Sequence, residues 1–260
     1  MPRDRRDYFY RKAKKEGYRS RAAYKLKQIS EKFKLIKKGN AVVDLGAAPG
    51  GWLQVAKELS LGKVVGVDIL PMEEIEGVEI IKGDIRLDAT VDKIREIIKK
   101  DGADVVLCDA APNLSGNWSY DHGRSIDLAT SALECAIKIL KSGGNFAVKV
   151  FQGDMFPDYL DKVRQHFLKV QAFSPGASRK QSAEIYVIGT QLVPEAIKLN
   201  KEYTVTIEDI GANGDGIARI SDFVVFVKGA KKGETVDIRI RFIKPHFAYG
   251  ERIESSVKVR

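Results

Sequence analysis

The stretch Val42–Trp52 reads VVDLGAAPGGW and joins an apolar run to a loop of glycine, alanine and proline. This succession predicts a strand that passes through a tight turn into a helix. Gly46, Gly50 and Gly51 permit close backbone approach and dihedral angles that other residues avoid. Since ligands in open α/β sheets bind at the carboxyl ends of strands, the loop is a candidate ligand-binding segment. A plain strand-to-helix turn is the alternative.

Outward from this loop, strand-like and helix-like patterns alternate. The strand-like runs are 41–45, 64–68, 78–81, 104–109, 144–150, 168–173 and 183–190, and the helical patterns are 20–34, 51–59, 90–100, 124–140 and 156–167. The alternation predicts an α/β fold with a Rossmann-like, seven-stranded, mostly parallel sheet. The short connection 174–182 predicts one antiparallel edge, since a parallel crossover needs more residues. Ser20 is the predicted cap of the first helix.

The pattern changes near Pro194. From residue 201 there is no helical period, and five short strand-like runs alternate with glycine-rich turns. They predict a small OB-like β-barrel, a shape that often binds nucleic acid. We therefore expect two domains, 1–195 and 196–260. Candidate base-stacking residues of the barrel, several of which must instead be core, are Phe223, Phe226, His246, Phe247 and Tyr249.

The positive charge is concentrated at the amino terminus. Residues 1–40 contain 15 Lys/Arg and 4 Asp/Glu, whereas residues 41–200 contain 18 and 22. Aromatic residues are interleaved with this basic arm, namely Tyr8, Phe9, Tyr10, Tyr18 and Tyr24. A basic arm with aromatic side chains favours a nucleic-acid partner. A merely solvated terminus is the alternative.

Several other function classes are disfavoured. The sequence contains no run of about 18 apolar residues, so a membrane span is not expected. The basic amino terminus also lacks the apolar core of a secretory signal. Cys108 and Cys135 lie in apolar runs and are predicted to be reduced core residues, which favours a cytoplasmic protein. His122, His166 and His246 do not occur at metal-ligand spacing with cysteine, so no metal site is expected.

Acidic residues follow three further predicted strands. Asp68 lies 18 residues after Gly50, where an acid can bind a ribose diol. Asp84 in GDI could accept a hydrogen bond from an adenine amine, and Asp109 begins DAAPNLSG. Each could be a turn or helix cap, but four strands presenting polar groups at one sheet edge indicate a ligand site. Because no G-K-[ST] motif occurs, the sequence favours an adenosine derivative without a triphosphate.

These motifs carry a family resemblance. The segments SRAAYKL, VVDLGAAPGGW, DILPM, GDI, DAAPNLSG, FAVKVFQG and SRKQSAEIYVI resemble the FtsJ/RrmJ family, S-adenosylmethionine-dependent ribose 2′-O-methyltransferases of large-subunit ribosomal RNA. The resemblance covers roughly residues 8–190. Residues 201–255, with GDGIARI and FVVFVKGAKKGE, resemble a TRAM domain, an RNA-binding barrel often appended to archaeal RNA-modifying enzymes.

The resemblance implies a cofactor, S-adenosyl-L-methionine, and a set of binding residues. Its methionine moiety is expected against Gly50 and Trp52, its ribose on Asp68 and its adenine beside Asp84. Asp109 is expected to border both the cofactor and the catalytic centre.

The resemblance also implies a catalytic tetrad of Lys25, Asp109, Lys149 and Glu184. Lys149 would either accept the proton of the ribose hydroxyl as a neutral amine or remain charged and orient that hydroxyl. Taken singly, Lys25 would be interpreted as an exposed helix lysine, Lys149 as a snorkelling strand-end lysine and Glu184 as an edge-strand charge. The joint match favours the catalytic interpretation.

The function that follows is methylation of a ribose 2′-hydroxyl in 23S ribosomal RNA, with the A-loop uridine as the expected target. The expected partner is ribosomal RNA within the large subunit. We expect the protein to be a monomer, to bind no metal ion and not to associate with a membrane. Two alternatives are a transfer-RNA ribose methyltransferase and a non-catalytic RNA-binding ribosome-assembly factor. The polar segment SYDHGRS (119–125) is predicted to be a mobile loop at the RNA entrance or a turn leading into a helix.

Overall fold

The computed structural model describes residues 8–99, 102–179, 182–194, 196–221, 223–244 and 246–253. The chain forms two compact units, Met1–Thr190 and Gln191–Arg260. The elements that begin within the first unit are α1 (Tyr8–Glu16), α2 (Ala23–Phe33), β1 (Val42–Leu45), α3 (Gly51–Ser60), β2 (Val64–Asp68), β3 (Glu79–Lys82), α4 (Asp88–Ile98), β4 (Ala103–Cys108), α5 (Trp118–Ile139), β5 (Leu140–Phe151), α6 (Phe156–Arg164), β6 (Phe167–Phe173) and β7 (Glu184–Leu192).

The sheet of this unit confirms the predicted fold class. Its seven strands lie in the order β3-β2-β1-β4-β5-β7-β6. β1 pairs in parallel with both β2 and β4, and β4 pairs in parallel with β5, whereas β5 and β7 are antiparallel. Because the strand order reverses on either side of β1, the edge beyond β1 and β4 is the topological switch point, where α/β proteins bind ligands.

The loop after β1 is packed against other parts of the protein. Gly46 has a φ of +72°, and a Cβ atom there would lie 2.4 Å from the Cβ of Ala110. A Cβ on Gly51 would lie 2.2 Å from the Oγ of Ser20. Neighbouring protein atoms therefore occupy the space that these side chains would need. The close packing holds the end of β1 against the segment that follows β4.

Two local predictions are wrong. Ser20 does not cap α2, because the helix begins at Ala23, its preceding residue Ala22 makes no side-chain cap bond, and Ser20 packs against Gly51. Segment 119–125 is neither a loop nor a leading turn, since α5 already begins at Trp118. The Asn117 side chain accepts a hydrogen bond from the backbone N–H of Tyr120 at 3.2 Å and thereby caps α5.

The second unit is a curled sheet of six strands. They are β8 (Glu202–Thr206), β9 (Asp209–Ile210), β10 (Gly216–Ile220), β11 (Phe223–Val227), β12 (Thr235–Ile243) and β13 (Phe247–Arg252). Their order is β8-β12-β13-β11-β10-β9. The described residues form six strands where five were predicted, because the first run divides into β8 and the short β9.

The aromatic residues of this unit separate into two sets. Phe223 is buried in the core, and alternation along β11 places Phe226 on the other face. Phe226, Phe247 and Tyr249 contact one another, with ring centroids 5.5–5.7 Å apart. His246 is exposed. The outer face therefore carries three mutually packed rings.

Both cysteines are free and buried, as predicted. Burial raises the pKa of the Cys108 thiol to about 12 and that of Cys135 to about 11, so both stay protonated. None of the described helices combines the length and apolar character that a bilayer crossing requires. Within the described ranges, no three His, Cys, Asp or Glu side chains form a group that could hold a metal ion.

Candidate active site

The four predicted catalytic side chains form two neighbouring ion pairs. The Nζ of Lys25 lies 2.7 Å from Oε1 of Glu184. The Nζ of Lys149 donates to the backbone carbonyl of Asp109 at 2.6 Å and lies 3.2 Å from its Oδ1. All four side chains are largely buried. The structure thus brings together residues that are up to 159 positions apart in the chain.

The antiparallel pairing of β5 and β7 explains this convergence. Lys149 lies near the carboxyl end of β5 and Glu184 is the first residue of β7. In the register, Lys149 is opposite Tyr186 and Phe151 is opposite Glu184. Because β7 runs the other way, its beginning lies at the edge where the parallel strands end. Glu184 can therefore join residues from the carboxyl ends of β4 and β5.

Tyr186 connects the two ion pairs, and sequence reasoning missed it. Its hydroxyl donates to Oδ1 of Asp109 at 2.6 Å. Its ring lies 5.7 Å from the Nζ of Lys25 and is stacked on Trp52 with centroids 5.8 Å apart. The available signal was alternation, since Tyr186 is two residues after Glu184 and so shares its strand face.

Burial and charge fix the protonation of two of these groups. Burial alone would raise the pKa of Glu184, but the charge and hydrogen bond of Lys25, followed by Ser178 and Lys149, lower it below its ordinary value. Burial, followed by the charges of Asp109 and Glu184, raises the pKa of Tyr186 well above its ordinary value. Glu184 is therefore ionised at neutral pH, and Tyr186 remains a hydrogen-bond donor.

A cleft of about 690 Å³ adjoins these pairs at the carboxyl ends of β1–β4. Asp68, Asp84 and Asp109 all line it, as the strand-end pattern predicts. The remaining lining residues are Gly46, Ala48, Val67, Ile69, Leu70, Gly83, Ile85, Arg86, Ala110, Ala111, Pro112, Asn113, Arg124, Asp127, Leu128 and Ser131. Its volume is that of a small-molecule site. Asp109 belongs both to the cleft and to the buried ion pairs.

The cleft aspartates have protein partners. Asp68 accepts from the backbone N–H groups of Ala48 at 2.9 Å and Leu70 at 2.8 Å, so it also organises the two loops. Hydrogen bonds from the Arg86 side chain and backbone lower the pKa of Asp84. A carboxylate has about four lone-pair sites, so Asp68 retains acceptor capacity toward the cleft.

Gly50 and Trp52 are not among the residues that line this cleft. Gly50 has a φ of +106° and precedes the first residue of α3. Trp52 is only 3% exposed, and its indole N–H donates to the carbonyl of Ala22 at 2.8 Å. Contact of these two residues with a cofactor stays a prediction.

Asp44 is a second residue that sequence reasoning missed. It lies within β1 at 1% exposure, and both carboxylate oxygens lack a hydrogen-bond partner among the described residues. Burial, followed by the charges of Asp109 and Asp68, raises its pKa well above the ordinary value. The available signal was an acid inside an otherwise apolar strand, where an unpaired charge is costly.

Comparison with known families agrees with this geometry. Residues 18–192 match the family model described as FtsJ-like methyltransferase, and residues 198–253 match the TRAM domain. The chain belongs to the FtsJ-like methyltransferase family. The family match spans every element from α2 to β7, and the TRAM match spans the six strands of the second unit.

Curated relatives resemble the chain over its whole length. The ribosomal RNA large subunit methyltransferase E of Methanosarcina mazei is 64% identical over 98% of this chain and 97% of that protein. Proteins of the same name from Methanothrix thermoacetophila and Halobacterium salinarum are 54% and 46% identical, over 98% and 96% of this chain and 99% and 98% of their own.

A solved structure also matches the methyltransferase unit. A Plasmodium falciparum protein designated a ribosomal RNA methyltransferase superposes with a TM-score of 0.63 at 30% identity. The match covers 68% of this chain and 100% of that one.

Proposed function

We propose that this protein transfers a methyl group from S-adenosyl-L-methionine to the ribose 2′-hydroxyl of a uridine in 23S ribosomal RNA, the A-loop uridine, in the cytoplasm. Family membership and the names of the curated relatives support methylation of large-subunit ribosomal RNA. The acceptor atom, the nucleotide and the cofactor are the finer parts of the proposal.

The observation that carries the proposal is the position of Asp109. Its side chain lines the cleft and also contacts Lys149 and Tyr186 in the buried cluster. A methyl donor in the cleft and an acceptor beside Lys149 would therefore meet at Asp109. This arrangement supports assignment of the cleft to the cofactor and of the Lys25–Glu184 side to the RNA.

The residues of the cleft fit a cationic nucleoside. Four aspartates and two arginines line it, an excess of negative charge that suits a sulfonium and an ammonium group better than a polyphosphate. The Asp44 carboxyl has no hydrogen-bond partner in the part of the chain that the structure describes, and it lies close enough to Asp68 and Asp109 for their charges to affect it. Asp68 and Asp84 would hold the nucleoside, with Gly50 and Trp52 expected at the methionine end. When bound, the cofactor supplies an electrophilic methyl group.

The protein residues would then position the acceptor and receive its proton. As the 2′-oxygen gains the methyl group it loses a proton. The Nζ of Lys149 would accept that proton as a neutral amine, or would orient the hydroxyl as a charged amine while the proton is lost late in the transfer. The backbone carbonyl oxygen of Asp109 and one of its carboxylate oxygens, Oδ1, hold that amine in place. Lys25 keeps Glu184 ionised and adds a second amine on the acceptor side. Such a site contributes mainly through orientation.

We also propose that the domain boundary lies between residues 195 and 196, with catalysis in the first domain and an RNA-binding surface in the second. Every proposed catalytic residue lies before the boundary, and the TRAM match lies after it. The outer aromatic face of Phe226, Phe247 and Tyr249, together with the basic amino-terminal arm, would bind RNA as part of a monomer.

The decisive experiment maps ribose methylation in total RNA from a strain that lacks the gene. One unmethylated uridine in the A-loop of 23S RNA, restored by the intact gene but not by a Lys149→Ala copy, is the expected result. Loss of a methyl group from transfer RNA instead would assign the enzyme to that substrate. An unchanged methylation map would leave the non-catalytic RNA-binding ribosome-assembly factor as the remaining alternative for the function.

A further inference from the structure

An exposed tryptophan lies beside the proposed acceptor site. Trp118 is the first residue of α5 and is 51% exposed. Its indole is stacked on Phe151, with centroids 6.0 Å apart, and on His122, with centroids 6.1 Å apart. The planes are inclined by 29° and 13°. The protein thus supports part of the ring and leaves about half of the residue open to solvent.

The backbone on both sides of Trp118 is held in place. Asn117 caps the helix, and the buried Asp121 accepts hydrogen bonds from the backbone N–H and hydroxyl of Ser115, both at 2.8 Å. Beneath the indole, His122 is buried and its Nε2 accepts from the backbone N–H of Met155 at 3.2 Å. The tryptophan is therefore presented on an ordered support, which reduces the entropy lost on binding.

This support is continuous with the proposed catalytic cluster. Phe151 is directly opposite Glu184 in the pairing of β5 and β7 and is two residues beyond Lys149 on the same strand face. Side chains directly opposite in antiparallel strands have Cβ atoms about 4.5–5.5 Å apart. Phe151 therefore lies beside Glu184 and also stacks on the Trp118 ring.

We propose that Trp118 is a base-stacking residue, which rests on the proposed function: its exposed indole packs against an unpaired nucleobase next to the methylated uridine. RNA recognition in single-stranded segments commonly stacks splayed bases on aromatic rings. The Lys25–Glu184 and Lys149–Asp109 pairs beside Phe151 offer hydrogen-bonding groups to the sugar and base edges of such a segment. An aromatic ring beside a polar, hydrogen-bonding site suits a nucleobase, which is flat and polar at its edge, better than an apolar peptide.

The test uses the full-length protein and an oligoribonucleotide that carries the target uridine in a single-stranded loop. Trp118→Ala should lower kcat/KM for this RNA about 10- to 100-fold, mainly through KM, the range for losing one stacked base. Trp118→Phe keeps a ring and should stay within about threefold of wild type. Affinity for S-adenosylmethionine should not change, because Trp118 does not line the cleft.

Tyr120→Ala is the matched control. Tyr120 is exposed on the same turn of α5, but two residues along a helix point about 200° apart, and its ring contacts Arg124. It should retain kcat/KM within about twofold. Equal losses in both alanine variants would overturn the assignment of the stacking surface to Trp118.

A double-mutant cycle identifies the stacked base. Two RNAs each carry one abasic site, on one side of the uridine or the other. At the stacked position, removing the base should lower kcat/KM of the wild type by the same factor as Trp118→Ala does. Removing the same base should lower kcat/KM of the variant little. Additive losses at both positions would overturn the proposal. A loss of kcat/KM in Trp118→Ala that occurs only with assembled subunits would also overturn the proposal, because Trp118 would then contact a protein of the subunit.

Fluorescence separates this proposal from the methylation proposal. The chain has two tryptophans, and Trp52 is only 3% exposed, so quenching by RNA should report Trp118 and vanish in Trp118→Phe. This readout needs no methyl transfer. If wild type binds and is quenched but transfers no methyl group, the methylation proposal fails, and the stacking of Trp118 on a base stands without its placement next to a methylated uridine. Binding without quenching overturns the stacking proposal alone.

Discussion

The hydroxyl of Tyr186 lies 2.6 Å from Oδ1 of Asp109, the same oxygen that is 3.2 Å from the Nζ of Lys149. One carboxylate oxygen thus lies within reach of both the tyrosine hydroxyl and the lysine amine. Because Tyr186 remains protonated, its hydrogen bond fixes which way Asp109 faces. Asp109, which lines the cleft, in turn determines where the Lys149 amine lies.

We expect Tyr186→Phe to lower kcat about 10- to 100-fold while keeping the ring that packs on Trp52. Hydrogen bonds to charged groups contribute about 1.5–3 kcal/mol, which sets this range. Tyr159→Phe is the matched control, since the buried Tyr159 hydroxyl donates to the carbonyl of Ala129 at 3.0 Å, away from the cluster. Thermal unfolding should be affected in both variants, but turnover only in the first. Equal turnover in the two would make Tyr186 a packing residue.

Lys149→Ala should reduce methyl transfer at least about 100-fold, the lower range for loss of a positioned proton acceptor. Affinity for S-adenosylmethionine, measured by calorimetry, should stay within about tenfold, because the amine serves the acceptor side. Lys141→Ala is the control on the same strand, where Lys141 pairs with Asp104 at 2.5 Å. Near-normal turnover of Lys149→Ala would remove Lys149 from the mechanism.

The sheet was predictable from the sequence because its strands are short apolar runs between turn residues. Neither Tyr186 nor Asp44 could be assigned in the same way. The role of Tyr186 depends on the register of β5 against β7, which brings it opposite Lys149 across 37 residues of chain. Asp44 can be recognised only in the structure, where its carboxyl is buried and has no hydrogen-bond partner among the described residues.

The start of α5 escaped prediction for a related reason. Its first turns bury polar residues, with Asp121 holding the preceding loop and His122 lying under Trp118. The apolar periodicity that marks a helix is therefore missing there. Likewise, Ser20 has the composition of a helix cap, but its hydroxyl fills the space beside Gly51. Tertiary packing decided both cases.

Asp68→Ala should weaken binding of S-adenosylmethionine by about 1.5–3 kcal/mol, the scale of hydrogen bonds to a charged group. It should also lower stability, since two backbone N–H groups lose their acceptor. Asp161→Ala is a suitable control, because Asp161 is exposed on α6, pairs with Arg164 at 2.7 Å and does not line the cleft. Calorimetry that gives wild-type affinity for Asp68→Ala would reduce Asp68 to a loop cap.

Asp44→Asn should change the pH dependence of stability. The pKa of Asp44 is raised above its ordinary 3.8 in the folded protein, so folding favours the protonated form. Wild type therefore loses stability, relative to the variant, as pH rises above 3.8 toward the folded value, by about 1.4 kcal/mol per pH unit. Thermal unfolding of both proteins from acid to neutral pH tests this. A constant difference would show that Asp44 does not titrate as its burial requires.

Deletion of residues 201–260 should leave cofactor binding intact and weaken RNA binding. The TRAM unit forms its own sheet, and the proposed catalytic residues all lie in the other unit. The apparent KM for RNA should therefore rise more than kcat falls. Circular dichroism and calorimetry with S-adenosylmethionine establish that the shortened protein is folded.

The two ends of the chain should differ in how they bind RNA. Residues 1–19 carry 8 basic and 3 acidic side chains, whereas residues 201–260 carry 11 and 9. Of the latter basic residues, Arg219, Lys232, Arg239, Arg241 and Arg252 form ion pairs within the unit. The TRAM unit thus pairs five of its eleven basic side chains internally and carries three packed rings on one face, so its contribution should come largely from stacking. Each phosphate contact adds to the slope of log K against log salt. Deleting residues 1–19 should therefore flatten that slope more than deleting the TRAM unit does, and the opposite order would place the electrostatic RNA contact in the TRAM unit.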